Sequence, residues 1–170
     1  GLLCGRSGAV QVSALQGCES AREAARDRGV WTVSGILKAA PLTADAFHPF
    51  GDVLEARGDF RLINGGLCRR HHDRARLDFG DARGGISVFK AEARRLPYAF
   101  DLVERHPDGS QAFLPMSEHP FLVIVAPDEG GVPGAPQAFL TDGAQGINLL
   151  RGTWHGVLTP LSAPGLFAVV

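Results

Sequence analysis

The stretch FLVIVAPDEGGVPGAPQAFLTDG (121–143) decides the fold. Residues 121–126 form an unbroken apolar segment of strand length. Asp128-Glu129-Gly130-Gly131 is turn chemistry, residues 137–141 are a second strand, and Asp142-Gly143 closes it. Working outward, the same rhythm recurs. Short apolar segments lie at 52–56, 60–63, 86–89, 98–104 and 111–115 before the stretch, and at 146–150, 155–158 and 166–170 after it. Asn64-Gly65-Gly66, Arg83-Gly84-Gly85 and Pro107-Asp108-Gly109 punctuate them. About ten short strands separated by turns specify an all-β sandwich or barrel. No long helical pattern lies between strands, which argues against a doubly wound parallel sheet. One short helix is expected near 43–50, with Thr43 as N-cap and Gly51 as its stop.

Composition sets the outer limits. The chain has 170 residues, enough for one domain with a real core. It carries 17 Lys+Arg against 18 Asp+Glu, so a globally basic nucleic-acid binder is excluded. No apolar run approaches membrane-spanning length. Cys4, Cys18 and Cys68 form no CxxC pair and are odd in number, so reduced thiols in a cytoplasmic protein are expected rather than a disulfide framework. Residues 1–33 read as an extension, irregular or partly helical over 19–28, where Glu19/Arg22 and Glu23/Arg26 are spaced to pair. They show no signal-peptide pattern. Residues 34–170 form the domain proper.

Two clusters could carry chemistry. In Glu104-Arg105-His106-Pro107-Asp108-Gly109-Ser110-Gln111, Glu104 and His106 are two apart and share one face of a strand. A hairpin at Pro107-Asp108-Gly109 would return Gln111 beside them. A carboxylate, an imidazole and an amide together suit a divalent cation or a small polar substrate. The second cluster is Arg151-Gly152-Thr153-Trp154-His155, from which His155 could complete the constellation across a closed barrel. The plainer alternative stays open: an interior histidine hydrogen-bonded in the core, and Glu104 and Arg105 as an exposed strand pair. On pattern alone, His71-His72-Asp73 with Arg69, Arg70 and Arg74 is a solvated basic loop. Asn64 opens a turn, Lys90 defaults to solvent, and Trp154 packs the barrel wall.

The stretches VERHPDGSQAFLPM (103–116) and AFLTDGAQGINLLRGTWHGVL (138–158) resemble the ureidoglycolate lyase family of the cupin superfamily. PLTADAFHPFGDVLE (41–55), INGG (63–66) and HHDRA (71–75) support the likeness, which runs from about residue 36 to the end. It implies a cupin-type double-stranded β-helix barrel acting as a cytoplasmic homodimer on a small-molecule substrate, with neither nucleic acid nor membrane as partner. The implied reaction splits ureidoglycolate into glyoxylate and urea, a nitrogen-recovering step of allantoin and purine degradation. General cupins carry two histidines one residue apart, then four residues, then glutamate, with a further histidine in a second motif. Glu104, His106, Gln111 and His155 stand at those positions, so one histidine has become glutamate and the glutamate has become glutamine. Glu118 stands where that pattern favours glycine.

For such a reaction His106, Gln111 and His155 are expected to ligate metal or substrate, with Glu104 either a fourth ligand or the base. A divalent ion is implied, nickel in particular, and no redox cofactor. Lys90 and Arg70 are candidate partners for the substrate carboxylate, since a point charge or a planar fork suits it, and the resemblance favours Asn64 and His72 at the mouth. Relatives continue beyond Val170, so a late strand is expected to be incomplete. Two other readings compete: a different metal-dependent cupin, such as a dioxygenase or isomerase, and a non-catalytic barrel that binds small acids.

Overall fold

The computed structural model describes residues 35–170 and the backbone of two short segments before them. The chain order opens with β1 (Ala9–Val12), β2 (Arg28–Gly29), β3 (Gly35–Lys38) and β4 (Ala40–Pro41). Helix α1 (Ala44–Phe47) precedes β5 (Gly51–Leu54), β6 (Arg61–Ile63), β7 (Cys68–Arg70), β8 (Ser87–Ala91), β9 (Val103–Glu104) and β10 (Gln111–Pro115). Then follow β11 (Phe121–Ala126), β12 (Gln137–Leu140), β13 (Gly146–Leu149), β14 (Trp154–Gly156), β15 (Thr159–Pro160) and β16 (Gly165–Val169). The helix expected over 19–28 lies outside the described residues, except for Arg28 in β2.

Two sheets make the body. One runs β5-β13-β10-β16-β8 and the other β2-β9-β14-β11-β12-β4, with β15 also on β11. All neighbours are antiparallel except β12 and β4. The all-β, cupin-type expectation holds.

Side-chain alternation places the core. Val53, Phe113, Ile147, Leu149, Phe167 and Val169 from the first sheet meet Phe121, Val123, Val125 and Phe139 from the second. Between those residues on β11 lie Leu122, Ile124 and Ala126, which point the other way into a second core with Phe100, Val103, Ala138 and Trp154. Leu96 and Tyr98 pack on that outer layer. The second sheet is therefore covered on both faces, which is why β11 is apolar at every position instead of at alternate ones. Fully burying one such side chain contributes roughly 1.5–3 kcal/mol.

The helix seals one end of the interior. Thr43 caps it as expected, its hydroxyl accepting from the Ala46 N–H. Phe47 and Phe50 insert against Phe139, with Phe47 and Phe139 edge to face at 5.6 Å. Gly51 does not stop the helix, which ends before it; Gly51 opens β5. A Cβ there would lie 1.9 Å from the Asn148 carbonyl oxygen, so the close approach of β13 requires glycine at this place.

Candidate active site

The site grows from the end of the second sheet. His155 on β14 pairs directly with Glu104 on β9 and, on its other side, with Val125 on β11. Val125 belongs to the interior core, so His155 and Glu104 share the inward face. His106 lies just past β9, two residues beyond Glu104. Its carbonyl accepts from the Gly152 N–H at 2.9 Å, which ties the end of β9 to the turn before β14. The His106 and His155 rings stand 5.3 Å apart, centroid to centroid. His155 Nε2 is 3.8 Å from Glu104 Oε1. One ligand atom from each of Glu104, His106 and His155 falls within 4.8 Å of the other two.

Two expectations about this cluster change. Pro107-Asp108-Gly109 is not a hairpin turn, because β9 and β10 belong to different sheets. The segment crosses from one sheet to the other, so Gln111 meets His106 from the opposite side, and both line one cleft. His155 does not reach across the barrel to Glu104 either; it is that residue's partner on the adjacent strand. The site is thus a strand pair faced by an amide from the opposing sheet.

Its electrostatics follow from burial. His155 is 3% exposed and borders apolar Phe113, Val123 and Leu149. That burial pushes its imidazole pKa below the ordinary histidine range, and the neighbouring His106 pushes the same way. The Thr153 carbonyl and Glu104 oppose the shift without reversing it. Thr153 O lies 3.1 Å from His155 Nδ1. A carbonyl can only accept, so in neutral His155 the proton sits on Nδ1 and Nε2 presents a lone pair. The Nε2 atoms of both histidines and Gln111 Oε1 are shielded from water and have no hydrogen-bond partner in the protein. Buried polar atoms without partners are costly. Two imidazole nitrogens, an amide oxygen and a nearby carboxylate form a donor set that suits a borderline divalent ion.

The mouth is a cleft of about 300 Å³ lined by Asp78, Phe79, Asp108, Ser110, His106 and Gln111, among others. Its rim is a loop stitched to the connector. Asp78 N–H donates to Ser110 Oγ at 2.7 Å, and Ser110 N–H donates to the Asp78 carbonyl at 2.8 Å. Arg151 grips the Asp78 carboxylate with Nε and NH2 at 2.8 and 2.7 Å. The Arg151 hydrogen bond, with help from the Gly80 N–H, holds the Asp78 pKa down to about 2. Sequence patterning gave no sign of Asp78, because Ser110 and Arg151, which tie it to the cleft, lie 32 and 73 residues away and no motif marks its loop.

The remaining sequence-derived positions lie elsewhere on the chain. Asn64 occupies the exposed turn between β6 and β7, with φ +53°. Arg70 and His72 are exposed and bond each other at 2.9 Å. Lys90 pairs with Leu166 on the outward face of edge strand β8, opposite in sense to core-facing Phe167. None of the four lines the cleft. Trp154 packs on the outer layer as a wall residue.

Comparison with known proteins adds independent findings. A family model described as ureidoglycolate lyase matches residues 34–170. A protein of Rhodobacter capsulatus named ureidoglycolate lyase is 61% identical over 136 residues, covering 79% of this chain and 84% of that protein. One of the same name from a Chelativorans species is 51% identical over 135 residues, 78% of this chain and 82% of its own length. Ureidoglycolate lyase 2 of Rhizobium meliloti is 47% identical over 137 residues, 79% and 84% of the two chains.

Proposed function

The chain belongs to the ureidoglycolate lyase family, and from that premise we propose that it cleaves ureidoglycolate into glyoxylate and urea at the Glu104–His106–His155 cluster. The observation that carries the reading is the convergence of these three side chains within 4.8 Å, faced by Gln111 across the cleft.

The chemistry asks for little more. The substrate carbon bears a hydroxyl, a carboxylate and the ureido nitrogen. Glu104 takes the hydroxyl proton while the oxygen collapses into the aldehyde carbonyl of glyoxylate. The electrons of the breaking C–N bond pass to nitrogen, and the carboxyl returns its proton there as urea departs. Protons balance, no electrons are transferred, and one carboxyl shuttle serves both halves. Positioned acid–base groups of this kind supply ~10²–10⁴-fold. His106, His155 and Gln111 supply the shielded donor atoms that would hold a divalent ion. Such an ion, chelated by the substrate carboxylate and hydroxyl, would acidify the hydroxyl and orient it. Nickel is the first ion to test.

The physiological setting is proposed on the family likeness: a nitrogen-recovering step of allantoin breakdown in the cytoplasm. Among the described residues no helix is long and apolar enough to cross a membrane. A homodimer is proposed as the working unit. Ile86, Val88, Leu114 and Met116 lie exposed on or beside strands β8 and β10 of one sheet, an apolar surface of the kind partners cover.

A second reading has one specific support. Two histidines and one carboxylate with open positions are also the ligand set of non-haem iron oxygenases. Oxygen uptake in the presence of ferrous iron, without glyoxylate release, would favour it. The lyase reading is tested by supplying ureidoglycolate to the purified chain and following glyoxylate. His106→Ala and His155→Ala are expected to lower turnover by about 10²-fold or more. Retention of most parental turnover in either variant overturns its role.

A further inference from the structure

Behind the reacting face stands a second cluster that the proposed chemistry does not use. Alternation along β9 sends Arg105 to the opposite face from Glu104 and His106, and alternation along β14 sends Trp154 to the opposite face from His155. Arg105 lies over the Trp154 ring, 4.9 Å from its centroid. Asp128, two residues beyond β11, joins both. Its Oδ1 accepts from Arg105 NH1 at 2.8 Å and from Trp154 Nε1 at 2.7 Å. Its Oδ2 accepts from the Gly131 N–H at 3.2 Å. The order of strands is β9, β14, β11, so this carboxylate spans three strands at the end where the site residues sit.

Past the last rung of the ladder, the backbone tie between β9 and β14 is the Gly152 N–H to the His106 carbonyl at 2.9 Å. Strand β9 is two residues long, and its pairing with β14 ends at Glu104–His155. His106 lies past the ladder. The two side chains bound to Asp128 are immediate chain neighbours of site residues: Arg105 sits between Glu104 and His106, and Trp154 precedes His155. A slip of the β9 end against β14 would separate the three reacting side chains and break the Asp128 contacts in the same motion.

We propose that Asp128 is a positioning residue: by clasping Arg105 and Trp154 on the back of the sheet, it fixes the register and direction of Glu104, His106 and His155 on the front. This inference rests on the reading of those three as the reacting centre. It predicts that loss of the clasp lowers turnover and any metal affinity about 10–100-fold, the range found for supporting partners of ligand residues.

The test compares Asp128→Ala with Asp128→Asn, which keeps an oxygen for both donors but no charge. A surface control is Asp142→Ala, which removes the Arg57–Asp142 ion pair at the other end of β11. The readout is independent of turnover: the imidazole Cε1–H signals of the metal-free chain, which has six histidines. Asp128→Ala is expected to shift or broaden the His106 and His155 signals and leave His48, His71, His72 and His119 in place. Asp128→Asn is expected to restore most of the parental spectrum, and Asp142→Ala to leave it unchanged at a comparable loss of thermal stability. Unmoved His106 and His155 signals in Asp128→Ala overturn the proposal. So would equal shifts in Asp128→Ala and Asp128→Asn, which would trace the effect to charge and not to the clasp. If the signals respond as expected but the parental chain releases no glyoxylate from ureidoglycolate, the positioning role stands and the lyase reading falls.

Discussion

Replacing Gln111 with leucine separates what the amide does for the fold from what it does for the chemistry. Gln111 Oε1 is shielded from water and has no protein partner. A shielded acceptor left unpaired costs roughly 1–3 kcal/mol of folding free energy. Leucine is one heavy atom shorter, of comparable bulk and without a polar atom, so Gln111→Leu removes that cost while keeping an apolar side chain beside His106. The expected outcome is a gain of about 1 kcal/mol or more. For a chain of this size that is an upward shift of ~2–4 °C in Tm per kcal/mol. Turnover should move the opposite way and fall about tenfold or more, because one donor to the substrate or its ion is gone. Thermal scanning and the glyoxylate assay on the same preparation check both halves. A lower Tm refutes the claim that the oxygen is an energetic liability in the free protein. A higher Tm with parental turnover refutes its participation in the site.

Two further outcomes follow from particular contacts. Asp78 has its pKa depressed to about 2 by Arg151, so their bond stabilises the folded chain fully above the ordinary aspartate value near 3.8 and is lost as pH falls toward 2. Urea midpoints of the parental chain and Arg151→Ala should therefore differ at pH 5 and converge between pH 4 and 2; a constant gap across that window contradicts the linkage. Gly51→Ala would place a Cβ 1.9 Å from the Asn148 carbonyl oxygen. It should destabilise by roughly 1–3 kcal/mol, occasionally more, and an unchanged chemical-denaturation midpoint would show that β5 can retreat from β13 freely.

Much of the local structure was legible because it is written in nearest-neighbour terms. Residues 111–115 and 121–126 are strands with the bounds read from the sequence, and Thr43 caps the helix foreseen there. Strands β4, β7 and β15 escaped notice, being two or three residues long and carrying no alternation to detect. What the sequence hid was which strands pair. Pro107-Asp108-Gly109 has the composition of a hairpin turn, yet β9 pairs with β14 and β10 with β13 and β16. Partner choice is decided by which apolar faces can be buried together, and the paired residues lie 34 to 56 positions apart in the chain. Spacing alone put Glu104 and His106 on one strand face and offered His155 as a third member, but it left a core histidine and an exposed strand pair as open alternatives, and the family pattern decided between them. Asp78 and Asp128 were invisible, since each acts through long-range partners that no local signal announces.

The two ends of the cleft differ in what they can tolerate. Its floor is part of a sheet clad on both faces, where a substitution disturbs one packed layer or the other. Its rim hangs on Ser110, Arg151 and a loop that contributes little to either layer. A breeder of new enzymes should therefore leave the floor, and the Asp78, Ser110 and Arg151 stitching, alone and vary Phe79, Ala82 and Asp108. Substrates of altered size or charge can be admitted there while the proton-handling machinery beneath is inherited intact.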